Sequence, residues 1–161
     1  MNTKIDVQPN FAWIAEREAY LHLAIEEARL AAAEGEVPVG AVLVHDGKIL
    51  VRAHNRCQQD NDPTAHAELL CIRDGAKQRC GRLTDCTLYV TMEPCAMCAG
   101  AAINAKLDRL VFGAFDMRAG CCGSVFDLTD HCFLHTVEVW GGVLATECAA
   151  LLTDFFVQQR G

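Results

Sequence analysis

Two short segments of the chain gather residue types that hold metal ions. One is Asp62-Pro-Thr-Ala-His66-Ala-Glu68; the other is Pro94-Cys95-Ala-Met-Cys98. A borderline-soft divalent ion such as Zn²⁺ favours thiolate and imidazole ligands in a tetrahedron. His66, Cys95 and Cys98 give three ligands and leave the fourth position to water, the arrangement of a catalytic zinc rather than a closed structural one. Glu68 then reads as the proton carrier. Zinc lowers the pKa of its bound water to about 7, and a carboxylate beside it can take that proton and later deliver it to a nitrogen. The set suits hydrolytic deamination, in which hydroxide adds to an aromatic C–NH₂ carbon and ammonia leaves.

Each fragment alone has other readings. A Cys-x-x-Cys also fits a redox pair or half of a structural zinc ribbon, and a His-x-Glu alone says little. Their co-occurrence, each opening a helix, points to a catalytic zinc. A ribbon would want a fourth ligand, which the adjacent Cys121 and Cys122 in a glycine-rich loop could supply. His54, His131 and His135 stand at spacings unrelated to the motif and read as structural.

The elements that must position these residues follow from periodicity and turn chemistry. Phe11 to Ala33 reads as a helix stopped by Gly35. Val37 to His45 is a β run, Asp46-Gly47 a hairpin turn, and Lys48 to His54 the returning strand. Asn55 to Thr64 is a polar loop. Thr64 is placed to cap a helix from Ala65 to about Gln78. Thr87 to Thr91 is a short buried strand. Pro94 suits the first turn of a helix over about Cys95 to Ala105. Arg109 to Phe112 is another strand, 113–124 are irregular, Thr136 to Trp140 alternates as a strand, and Ala145 to Gln158 closes as a helix. This alternation predicts an α/β fold, a three-layer α/β/α sandwich. His66 and Cys95 fall in first turns, where free N–H groups and the helix dipole help keep thiols ionised. Cys95 and Cys98 share a helical face.

Composition bounds the rest. The chain has 161 residues, 52% hydrophobic and 22% charged, consistent with one domain over 1–161 with residues 1–10 a flexible lead-in. Fourteen Lys and Arg against 21 Asp and Glu give a net charge of −7, without the basic footprint of a protein that coats DNA or long RNA. No secretory signal or membrane span is expected, because the start lacks an apolar run and the longest apolar stretches are too short. The 10 cysteines then read as reduced thiols in a cytoplasm, mostly packed as small hydrophobes.

At these residues the sequence resembles the cytidine/deoxycytidylate deaminase superfamily, and within it the bacterial tRNA adenosine deaminases. The likeness runs from about Trp13 to Phe156. Beyond the zinc motifs it rests on Glu36-Val-Pro-Val-Gly-Ala-Val, Leu88-Tyr-Val-Thr-Met-Glu-Pro-Cys-Ala-Met-Cys-Ala-Gly-Ala, Val111-Phe-Gly-Ala and the stretch from Gly142 to Phe156. The signature His-x-Glu…Pro-Cys-x-x-Cys and its zinc chemistry are established for such deaminases. The resemblance implies a cytidine deaminase-like fold with a central five-stranded mixed sheet and one Zn²⁺ per chain. It implies hydrolytic deamination of adenosine to inosine at the wobble position of a tRNA anticodon stem-loop, by a homodimer with shared active-site grooves. It further implies that Asn55 hydrogen-bonds the target base, Val37 packs on it, Asp116 contacts the RNA backbone and Phe156 stacks near an anticodon nucleotide. Each has a plainer reading: a turn residue, a buried strand-start valine, a loop-capping carboxylate and a core aromatic. Phe155 is assigned to the core.

Some positions depart from the family. The sequence reads Val157-Gln-Gln-Arg-Gly161 where a basic tail is common. Phe115 replaces a residue that is commonly polar, Cys121 and Cys122 replace small residues, and Cys57 follows Asn55-Arg56. The alternatives are a deaminase of free guanine, cytosine or adenine or their nucleosides, and a non-catalytic zinc-stabilised RNA-binding or scaffold protein. The latter has no need of Glu68.

Overall fold

The structure, a computed structural model, describes residues 10–130 and 133–161. His131 and Cys132 lie outside the described residues, as does most of the expected lead-in.

The chain runs α1 (Phe11–Ala33), β1 (Gly40–His45), β2 (Lys48–His54), α2 (Ala67–Gln78), β3 (Cys86–Met92), α3 (Ala96–Asn104), β4 (Arg109–Ala114), β5 (Glu138–Trp140) and α4 (Ala145–Arg160). The strands form one five-stranded sheet in the order β2-β1-β3-β4-β5. β1 is antiparallel to β2 and β3, whereas β3, β4 and β5 are parallel. The expected mixed sheet between helical layers is the observed one.

α1 starts where Asn10 Oδ1 accepts the Ala12 N–H at 3.1 Å. It ends in a Schellman motif: Glu36 N–H reaches Ala31 O and Gly35 N–H reaches Ala32 O, with Gly35 at φ +79°. Leu21, Ala24, Ile25, Ala28 and Ala31 recur at helical spacing and are buried. Leu21, Ala24 and Ile25 pack with Val42, Val44, Tyr89 and Val111 on one sheet face, joined by Cys148 of α4. The other face carries the larger core. There Ala41, Leu43, Leu88, Val90, Leu110 and Phe112 meet Cys71 and Ile72 of α2 and Ala99, Ala102 and Ile103 of α3. Alternate residues of β1 and β3 thus enter opposite cores, so both strands are buried almost throughout.

Three local readings are corrected. β1 begins at Gly40, not Val37. Pro38 has no N–H to pair, and Val39 N–H turns back on Val37 O at 2.8 Å. α2 begins at Ala67, with His66 as N-cap in extended conformation. Thr64 does not cap it, because its N–H and hydroxyl both donate to Asp62 Oδ1 at 2.8 and 2.7 Å. Pro94 precedes the cap of α3, which is Cys95. The hairpin turn stands as read, Asp46 and Gly47 both taking positive φ (49° and 70°).

The register gathers the chemistry at one end of the sheet. Gly40 pairs with His54, Ala41 with Val90 and Met92 with Ala114. The chain entering β1 therefore lies beside the chain leaving β2, β3 and β4. Val37, Asn55, Glu93 and Phe115 all emerge at this end, where the N-termini of α2 and α3 also begin. Ligands of open α/β sheets bind outside such strand ends.

Candidate functional site

His66 Nδ1 stands 3.7 Å from the Sγ atoms of both Cys95 and Cys98. A tetrahedral zinc with Zn–N about 2.0–2.1 Å and Zn–S about 2.3 Å puts its nitrogen and sulfur ligands about 3.6 Å apart. The three side chains therefore fit a zinc ion. They are the one such His/Cys/Asp/Glu cluster among the described residues. Cys121 and Cys122 are not part of it, which removes the four-ligand ribbon. Cys121 instead donates its N–H to Pro94 O and its thiol to Ala119 O. His54 is held between Glu27 and Glu34 at 2.8 and 3.1 Å, and His135 Nε2 lies 2.6 Å from Leu107 O. Neither faces the cluster.

Helix geometry explains the convergence. His66 and Cys95 are both N-caps, so their side chains leave the backbone before the first turn. Cys98 lies in the first turn of α3 and is buried. Glu68 lies in the first turn of α2 and is 4% exposed. Burial pushes its carboxyl above the usual range, opposed first by a hydrogen bond from the Cys98 thiol and then by the charge of His66. Cys95 is pushed down to about 3 by hydrogen bonds from Cys98 and His66. These hydrogen bonds favour the thiolate form of Cys95. Its hydrogen bond raises Cys98, as burial does too. His66 is raised by its bond to Cys95.

Above this cluster opens a cleft of ≈ 780 Å³, within the range of about 300–1,000 Å³ usual for ligand sites. Asn55 lines it and is 8% exposed. Its Oδ1 accepts the Ala67 N–H at 2.9 Å. A backbone N–H needs an acceptor, so the amide orientation is fixed and the NH₂ is the end left for a ligand. Asn55 therefore caps α2 from 12 residues upstream, the task expected of Thr64.

The other expected contacts also line this cleft. Val37, outside the strand, is 37% exposed on its wall. Asp116 lines it as well, with Oδ1 accepting the N–H groups of Arg118 and Ala119 at 2.9 and 3.2 Å. Phe156 lines it from α4 and is 46% exposed. Phe155 is corrected. It is half-buried on the cleft wall, edge-on to Phe156 at 5.4 Å, and belongs to neither core cluster.

Sequence reasoning passed over two residues at this cleft. Glu36 is buried, with Oε1 accepting the Gln59 N–H at 2.8 Å, which ties the 55–64 loop to the end of α1. Glu93 is buried beside Cys95. The available signal was a carboxylate inside an otherwise apolar motif. No helix among the described residues is long and apolar enough to cross a membrane.

The geometry agrees with the chain's relatives. The family model of the cytidine and deoxycytidylate deaminase zinc-binding region matches residues 14–114. The chain is 48% identical over 146 residues to a tRNA-specific adenosine deaminase of Haemophilus influenzae, covering 89% of this chain and 84% of that one. It is 46% identical over 145 residues to the tRNA-specific adenosine deaminase of Bacillus subtilis, covering 89% and 90%. A solved tRNA:A34 deaminase superposes with a TM-score of 0.77 at 42% identity, covering 83% of this chain and 99% of that one. The chain belongs to the cytidine and deoxycytidylate deaminase family.

Proposed function

We propose that the protein converts adenosine to inosine at the wobble position of a tRNA anticodon. The observation that carries this reading is the zinc-fitting triad with a buried carboxylate at the foot of a partly aromatic cleft. The activity named for its relatives gives the substrate.

His66, Cys95 and Cys98 hold one zinc per chain. Bound zinc supplies water acidic enough to serve as nucleophile near neutral pH. Glu68 takes a proton from the water that adds to C6 and delivers it to N1 of the base. It then carries the second proton to the exocyclic nitrogen, the C6–N bond breaks, and ammonia departs. The Asn55 NH₂ donates to an acceptor on the base and Val37 packs against its face. The carboxylate of Asp116, through the oxygen its loop does not use, accepts from a ribose hydroxyl. Phe156 stacks on a neighbouring nucleotide. The target base leaves its stack to reach the cleft, which a hairpin loop permits at low cost.

In this reading residues 1–161 act as one domain in the cytoplasm, as a homodimer in which the partner copy completes each groove. The test is inosine formation by the zinc-loaded protein in an anticodon stem-loop RNA with a wobble adenosine. Inosine is expected. Ammonia release from free guanine, cytosine or adenosine with none from the RNA would overturn the tRNA assignment. One zinc per chain with no turnover on any of these would favour a non-catalytic role.

A further inference from the structure

We propose that Glu93 is a positioning residue: it fastens the segment from Asp116 to Ser124, one wall of the cleft, to the strand–helix junction that presents Cys95. This rests on the function proposed above, since that wall matters as a substrate-binding surface.

Glu93 is 3% exposed. Its N–H donates to Ala114 O at 2.9 Å, which holds the junction against the end of β4. Its Oε1 accepts the Ser124 hydroxyl at 2.6 Å, a short bond of the charge-assisted kind. Its Oε2 is buried without a hydrogen-bond partner among the described residues. That oxygen lies against Gly120, where an added Cβ would collide with it. The next residue of the motif makes a second tie, Pro94 O accepting the Cys121 N–H at 2.9 Å. The segment also closes on itself, Gly120 N–H to Asp116 O and Val125 N–H to Gly120 O, both at 2.9 Å. Asp116 and Ala119 from this closed unit face the cleft.

A buried carboxylate with one oxygen unsatisfied opposes folding. An apolar side chain would fill the same space without that cost, but could not direct the Ser124 hydroxyl. The segment itself has no regular structure beyond the bridge of Cys122 with Asp127. Such a loop holds a fixed place only where specific bonds supply it. The carboxylate supplies one within two residues of Cys95, so the wall and the metal ligands move as one body. Gly120 is the residue that can approach that carboxylate without collision.

The test compares E93A, S124A, the double variant and E93Q as zinc-loaded proteins. Steady-state kinetics on the stem-loop RNA are paired with the rate of tryptic cleavage after Arg118, which is exposed within the segment. E93A and S124A should each raise KM about ten- to a hundred-fold, with kcat within about threefold of wild type. The double variant should be no worse than E93A, since both remove one bond. E93Q keeps an acceptor oxygen for Ser124 and should restore KM to within about threefold. Cleavage after Arg118 should quicken in E93A and S124A and not in E93Q. Additive effects, unchanged KM with unchanged cleavage in S124A, or a loss confined to kcat would overturn the proposal. If E93A fails to fold, S124A and E93Q still decide it. If wild type leaves the RNA untouched, the function reading falls, and the cleavage comparison alone tests the role of Glu93.

Discussion

Asn55 caps α2 and, in the proposed function, donates to the target base, and a pair of substitutions separates the two roles. Its Oδ1 caps α2 at the Ala67 N–H, and its NH₂ faces the cleft. Asn55→Ala leaves a buried N–H at the start of α2 unsatisfied, at a cost of about 1–3 kcal/mol. The loss of an N-cap gives a similar range, about 0.5–2 kcal/mol. For a chain of this size, 1 kcal/mol moves Tm by about 2–4 °C, so Asn55→Ala should lower it by roughly 2–12 °C. Asn55→Asp keeps the acceptor. Its charge gains about 0.3–1 kcal/mol at the helix N-terminus, against the cost of burial near Glu68. Its Tm should therefore fall less than that of Asn55→Ala. It loses the donor, and a carboxylate facing an acceptor on the base should cut kcat/KM by about a hundredfold or more. Thermal unfolding of the zinc-loaded proteins and deamination kinetics on the stem-loop read the two tasks apart. Unchanged stability in Asn55→Ala would refute the capping argument, and full activity in Asn55→Asp would refute the donor argument.

Other outcomes follow from the same geometry. In zinc-depleted protein Cys95, held down to about 3, should remain a thiolate from neutral pH to well below pH 5, its charged form lost only as pH falls toward that value. Alkylation of Cys95 should persist in mild acid and stop when zinc is restored. A rate that falls away below about pH 8, as for a free thiol, would contradict the hydrogen bonding seen here. Phe156→Ala removes a half-exposed ring and should leave Tm nearly unchanged. It should raise KM for the RNA about tenfold, since stacking on one base is worth about 1–3 kcal/mol. An unchanged KM would return Phe156 to a packing role.

The metal triad was legible because zinc chemistry constrains residue type, and the short spacing within each fragment leaves little freedom. α1 and the β1–β2 hairpin were legible because a helical stripe ended by Gly35 and an Asp-Gly turn are local codes. What escaped were effects set by distant chain. Thr64 stands at a plausible cap position, but Asp62 takes its hydroxyl and Asn55 reaches α2 from just past the end of β2 instead. Val37 continues an apolar run, yet Pro38 ends strand pairing before it. Phe155 and Phe156 are adjacent on a helix, and no pattern says which neighbour the helix meets. Glu93 was hidden inside the motif because its partners, Ser124 and Gly120, lie 31 and 27 residues further on.

The central claim is that Glu68 moves protons at a zinc held by His66, Cys95 and Cys98. The most direct measurement is zinc content and inosine formation in Glu68→Ala beside wild type, on the anticodon stem-loop RNA. General acid–base groups contribute about 10²–10⁴-fold, so the variant should keep one zinc per chain and lose at least that much turnover. A variant that keeps its zinc and still forms inosine at the wild-type rate would contradict the account.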